Sequence, residues 1–246
     1  MIFEILVLGS GDACSFGGKN QTSFFIKTDK KTFLLDCGPS TLSELRRRNI
    51  NTDKIDFILN THMHGDHYGG IPYLLLDLNI NYKIESFLVI GAEGIAERLN
   101  ILQDLLYPGY GFEKFKFKMI FEELKPYQEI NVDDIKIKSY PMLHSAYSYC
   151  FGYKIEYKNK SFAYTGDTGW TNEIINLSNN TDLFIIECSY YNKDIRNSHV
   201  SYKELLENIN KINTKNILLT HLSKDAYDNI DKISHAIAYD GMKIFI

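Results

Sequence analysis

The chain has 246 residues, 44% of them hydrophobic and 24% charged, with a net charge of −4. That length suits one large α/β domain spanning residues 1–246, and no apolar run reaches the length of a membrane span. The acidic balance argues against a long nucleic-acid partner, which needs a clustered basic surface.

Two local basic runs, Arg46-Arg47-Arg48 and Lys114, Lys116 and Lys118, are diluted by neighbouring acids and read as solvated faces. The opening MIFEILVLGSGD carries Glu4 where a leader would carry a basic stretch, so no signal peptide is expected. Cys14, Cys37, Cys150 and Cys188 lack CxxC spacing and fit the reduced thiols of a cytoplasmic protein.

Residues 2–8 read as a strand, followed by a glycine-rich loop with Gly9, Gly11, Gly17 and Gly18. The glycine spacing fits neither a P-loop nor a dinucleotide fingerprint, so a tight turn is the better reading than a phosphate cradle. Strands from Thr22 to Lys27 and from Thr32 to Asp36 complete an antiparallel meander. Asp36 ends an apolar strand and needs a partner, because burying a lone carboxylate is costly. Capping a helix from Ser40 to Arg48 is one way to supply that partner.

The apolar run 55–59 then leads into THMHGDH at 61–67, which holds four potential metal ligands: His62, His64, Asp66 and His67. On a strand-end loop, His62 and His64 can face one point while Asp66 and His67 face another. Such donors suit zinc, with manganese or iron as alternatives.

A helix follows over 68–80 with Pro72 in its first turn, then a strand at 86–91 and a helix at 92–106. Residues 107–118 place Tyr107, Tyr110, Phe112, Phe115 and Phe117 among Pro, Gly and Lys. They form either a lid that stacks on a base or a segment packed on the body or a second subunit. FKFKMIF within and after them alternates like a strand. Strands at 135–140 and 149–157 flank His144. Asp167, Glu187 and His221 each close another apolar run, and a helix starts near Ser201 just after His199. The last residues, MKIFI, close the sheet. Of seven histidines only His235 is left over, as a structural residue.

With Gly65 at its centre, THMHGDH resembles the signature of the metallo-β-lactamase fold superfamily, whose α/β fold is a four-layer αββα sandwich. The resemblance implies a third histidine, a bridging carboxylate and a final histidine in that order, and His144, Asp167 and His221 match. Carried over residue by residue, it implies two divalent metal ions, zinc or else manganese. One would sit on His62, His64 and His144, and the other on Asp66, His67 and His221. Asp167 would be shared, and Asp36, in a run like the superfamily's LLDxG, would orient a ligand histidine. Two ions ~4 Å apart activate a water and polarise the bond under attack.

His64 stands where the flavo-diiron branch carries Glu, and Asp167 where many β-lactamases carry Cys, so neither branch fits. Glu187 in ECS and His199 in HVS resemble a pair that assists proton transfer in the ribonuclease Z branch. Asp66, Glu187 and His199 are therefore the expected catalytic set. A surface histidine beside a helix cap is the alternative for His199.

The resemblance to ribonuclease Z runs from NQTSF at 20–24 to LTHLS at 219–223. Ribonuclease Z grips tRNA with a long arm between the third histidine and the bridging aspartate, yet only residues 145–166 lie there. The chain more closely resembles compact phosphodiesterases of 3′,5′-cyclic nucleotides, including phage proteins that destroy cyclic-pyrimidine defence signals. That resemblance implies a small nucleotide-like substrate and a homodimer. RNA 3′-end cleavage, thioester hydrolysis and a metal-binding scaffold without turnover are the alternatives.

Overall fold

The computed structural model describes residues 3–82, 84–192 and 198–246. Ile2 of the first expected strand and Asn197 of the loop before His199 lie outside the described residues.

Among the described residues, fourteen strands build two sheets. The first contains β1 (Glu4–Gly9), β2 (Ser23–Lys27), β3 (Thr32–Leu35), β4 (Phe57–Leu59), β5 (Ser86–Ala92) and β6 (Lys118–Leu124). The second contains β7 (Glu129–Val132), β8 (Ile135–Met142), β9 (Cys150–Tyr157), β10 (Lys160–Tyr164), β11 (Leu183–Glu187), β12 (Ile217–Thr220) and β13 (Ala236–Ile237). The last strand, β14 (Lys243–Phe245), returns to pair with β1.

Their orders are β14-β1-β2-β3-β4-β5-β6 and β13-β12-β11-β10-β9-β8-β7. In each, three antiparallel pairings give way to three parallel ones: β3, β4, β5 and β6 run parallel in one sheet, and β10 to β13 in the other. The halves thus repeat one plan that leaves no repeat visible in the sequence.

The parallel strands β4 (FIL) and β11 (LFIIE) are buried throughout, as strands covered on both faces must be. By contrast β8 alternates buried and half-buried positions. Between the sheets, Phe3 meets Phe162 edge-on at 5.1 Å and Phe24 meets Tyr164 at 5.2 Å. Each pair joins one sheet to the other.

Helices cover the outer faces. Against the first sheet lie α1 (Thr41–Arg47), α2 (Gly65–Tyr68), α3 (Ile71–Asn81) and α4 (Ile95–Leu106). A second core on the far side of the other sheet joins Phe184, Ile186 and Leu219 to three helices. These are α5 (Asn172–Ser178), α6 (Tyr202–Asn208) and α7 (Lys224–Tyr227). The result is the expected four-layer αββα sandwich. Among the described residues, no helix is long and apolar enough to cross a membrane.

Several boundaries differ from expectation for local reasons. The fourth strand starts at Phe57 rather than Ile55, because the Asp56 side chain accepts the Thr32 amide (2.8 Å). The sixth begins at Lys118 because Phe112, Phe115 and Phe117 pack on one another and on the core, rings 5.6 and 5.2 Å apart. The aromatic side chains of the 107–118 segment therefore pack on the body, except that of Tyr110, at 52% exposure. The expected helix over 68–80 splits into α2 and α3 around Gly69 and Gly70. Four short elements, β7, β13, α5 and α7, went unpredicted. Strands β9 and β10 join through Lys158 and Asn159 alone, so no arm projects there.

Candidate metal centre

Strand ends deliver the chemistry to one edge. Segments leaving β3, β4, β8, β10 and β12 carry Asp36, residues 60–67, His144, Asp167 and His221 respectively, and Glu187 is the last residue of β11. Two of these residues take left-handed backbone, Asp36 at φ 59° and His221 at φ 60°, a cost typical of sites held by their surroundings. Gly166 also turns left-handed (φ 59°), and a Cβ there would meet the Thr61 Cβ at 2.9 Å. Gly166→Ala is expected to lower the unfolding free energy by at least roughly 1 kcal/mol, read by denaturant titration.

A buried hydrogen-bond system sets the tautomers of His62, His67 and His144. Asp36 is fully buried and accepts from His67 Nδ1 (2.7 Å), the Thr61 amide (2.7 Å) and the Thr61 hydroxyl (2.8 Å). It orients His67 directly and is not the cap of α1. Since Thr61 Oγ1 spends its proton on Asp36, it accepts from His62 Nδ1 at 3.1 Å. His144 Nδ1 donates to the Ser198 carbonyl at 2.7 Å. The Nε2 atoms of His62, His67 and His144 are thereby left to face inward.

Those inward atoms converge. His64 Nδ1 lies 3.1 Å from His62 Nε2 and 2.9 Å from His144 Nε2. His67 Nε2 lies 3.3 Å from Asp66 Oδ2 and 3.2 Å from Asp167 Oδ1, and His221 Nε2 lies 3.2 Å from Asp66 Oδ2 and 3.4 Å from Asp167 Oδ2. Donor atoms within 4.8 Å of one another form two groups, His62-His64-His144 and Asp66-His67-Asp167-His221. His199 also falls within that reach of His144 and Asp167, and of Glu187 and His221.

The donor set fits a cation. His67 Nε2 and Asp167 Oδ1 are buried, and neither has a hydrogen-bond partner among the described residues. With Nδ1–H committed to Asp36, two lone pairs confront each other and call for a positive charge between them. Burial, and then the charges of neighbouring histidines, push His62 and His64 below the usual histidine range, so both are neutral donors. Burial pulls His67 down as well, but Asp167 and Asp36 outweigh it and hold the ring well above that range. A proton and a metal ion would compete for that nitrogen. Burial pushes Asp167 up, yet His221 and His67 bring it well below the carboxylate range. For Asp66, hydrogen bonds from His221 and His67 likewise overcome burial.

Beside this cluster stands a carboxylate–imidazole pair. Glu187, fully buried, accepts the Thr168 amide (2.9 Å) and His199 Nδ1 (2.8 Å) on Oε1, and the Ser189 amide (3.0 Å) on Oε2. The His199 ring sits 4.9 Å from that of His144. A reciprocal capping box between Ser201 and Glu204 starts α6 and anchors the chain just after His199.

Burial lowers His199, but the Glu187 charge and hydrogen bond raise it to about 9 from an ordinary 6.5. In the metal-free protein the stabilisation from this pair is complete below pH 6.5 and is lost as pH rises through about 9. Glu187→Gln is expected to move the basic limb of both the stability and the activity profile to lower pH.

All the predicted site residues thus meet at one edge, and His235 lies apart with its Nδ1 2.9 Å from the Tyr202 hydroxyl. Thr61, Ser189 and the Ser198 carbonyl were not anticipated. Thr61 adjoins His62 and Ser189 lies two residues after Glu187 in ECS, but nothing in the sequence marks their hydroxyls as partners.

Comparisons with known proteins agree with this geometry. The family model described as anti-Pycsar protein Apyc1 matches residues 3–239. Ribonuclease Z of Clostridium perfringens is 25% identical over 96% of this chain and 93% of that protein. The ribonuclease Z of Alkaliphilus oremlandii is 26% identical over 98% of each. Among solved structures, the metallo-beta-lactamase fold protein YhfI from Bacillus subtilis matches with a TM-score of 0.80 at 23% identity, over 98% of each chain. The short form of human tRNase Z matches with a TM-score of 0.80 at 19% identity, over 99% of each. The fold is that of the metallo-β-lactamases, and the histidine–aspartate cluster is of the kind that holds metal in hydrolases of this fold.

Proposed function

Because the chain belongs to the anti-Pycsar protein Apyc1 family, we propose that it is a dinuclear metal-dependent phosphodiesterase that opens a 3′,5′-cyclic nucleotide. The observation that carries this reading is the pair of donor groups meeting at Asp167 with the Glu187–His199 pair alongside. His62, His64 and His144 would hold one ion, Asp66, His67 and His221 the other, and Asp167 both. Two divalent ions, zinc or manganese, would supply Lewis-acid polarisation of the phosphate and lower the pKa of a water.

The remaining chemistry belongs to side chains. Hydrolysis adds water oxygen to phosphorus and breaks one phosphorus–oxygen bond to the sugar. His199, kept protonated by Glu187, donates its proton to the departing sugar oxygen, and Glu187 holds the ring while it does so. The two-residue link between β9 and β10 supports a small substrate, since the chain has no arm there to grip a folded RNA.

RNA 3′-end cleavage is the second reading, favoured by the likeness to ribonuclease Z over nearly the whole chain. A panel of 3′,5′-cyclic nucleotides assayed beside a precursor tRNA separates the two. Ring opening that disappears in His64→Ala supports the first reading, and cleavage of the tRNA alone supports the second. The homodimer and the single domain over 1–246 belong to the same proposal. Exposed Ile101 and Leu105 on α4 would bury apolar area in a dimer. One core cluster that includes residues of both sheets supports the single domain.

A further inference from the structure

We propose that Ser189 is a positioning residue that fixes the tautomer of His221 and ties it to the Glu187–His199 pair; this rests on the dinuclear reading above. Ser189 is buried, at 2% exposure. Its Oγ lies 2.9 Å from Glu187 Oε2, 3.0 Å from the His221 carbonyl, 3.1 Å from His221 Nδ1 and 3.2 Å from His199 Nδ1. A hydroxyl has one proton to give. The charged carboxylate oxygen is both the nearest and the strongest acceptor, so the proton goes to Glu187.

Ser189 Oγ is then left as an acceptor, and His221 Nδ1 must be the donor. With its proton on Nδ1, His221 presents a lone pair at Nε2 toward Asp66 and Asp167. This is the arrangement that Asp36, through Thr61 and directly, imposes on His62 and His67, and that the Ser198 carbonyl imposes on His144. Ser189 therefore supplies the partner for the one histidine of the second group that Asp36 does not reach.

The serine is itself held in place. Its carbonyl accepts the Ser223 amide (3.1 Å) and the Ser223 hydroxyl, so the segments after β11 and β12 are locked together. Its link to Glu187 means that one hydroxyl braces both a donor to the second ion and the acid pair. Outer partners of this kind are worth about 10- to 100-fold in metal affinity.

The test is zinc binding across a series of buffered free-zinc concentrations, with bound metal counted per chain. The unmodified protein is expected to bind two ions. Ser189→Ala is expected to keep the first with unchanged affinity and to bind the second about 10- to 100-fold more weakly. Ser189→Thr, which retains the hydroxyl, is expected to bind both normally, and His199→Ala likewise. Equal weakening of both ions in Ser189→Ala, no weakening at all, or loss of the second ion in Ser189→Thr would overturn the assignment to Ser189. Failure of the unmodified protein to take up two ions would instead overturn the dinuclear reading on which it stands.

Discussion

Asp167→Asn is expected to abolish turnover and to weaken binding of the second metal ion by more than ~100-fold. Asparagine keeps the volume of the side chain but replaces one acceptor oxygen with a donor and removes the charge. Asp167 Oδ1 faces His67 Nε2 at 3.2 Å, while Oδ2 lies 3.4 Å from His221 Nε2 and 3.7 Å from His144 Nε2. An amide in that position leaves the imidazole lone pairs of both groups without a shared anion. Partners one shell further out cost about 10- to 100-fold when removed, so a shared donor should cost more. The core between the sheets lies elsewhere, and the variant should remain folded. Metal content per chain, measured with circular dichroism, checks both statements. Two tightly held ions and near-normal turnover in the variant would contradict them.

His199→Ala should separate chemistry from metal binding. Loss of a general acid typically costs ~10²- to 10⁴-fold in rate, or about 3–5 kcal/mol in the barrier. The change should appear in kcat with little effect on KM, because the proton is needed only as the sugar oxygen departs. Both ions should stay bound, and added imidazole should restore part of the rate. An unchanged kcat would remove His199 from the acid role. Loss of an ion would instead make it a ligand, a role its closeness to His144 and Asp167 permits geometrically.

Much of this site could be read from the sequence because its donors are rare residue types placed at the ends of apolar runs. With seven histidines in the chain, three of them within 61–67 are enough to mark the location. The strands were also readable: FLL and LFIIE are too continuously apolar for a surface position. What could not be read depends on approach in space. The hydroxyls of Thr61 and Ser189 are unremarkable in sequence, and their roles arise only once β4 meets β3 and β11 meets β12. Gly166 likewise looks like any turn glycine until Thr61 packs against it. The aromatic 107–118 segment misled in the opposite sense: its alternation resembles a strand, yet three of its rings find one another first.

The most direct test of a cyclic-nucleotide phosphodiesterase is hydrolysis of a 3′,5′-cyclic pyrimidine nucleotide by zinc- or manganese-loaded protein in ¹⁸O-labelled water, followed by ³¹P NMR. The expected result is a single nucleoside monophosphate with one water-derived oxygen on phosphorus, and no product from the His64→Ala protein. No ring opening by protein that holds two ions per chain, or label appearing on the sugar oxygen instead of phosphorus, would contradict it.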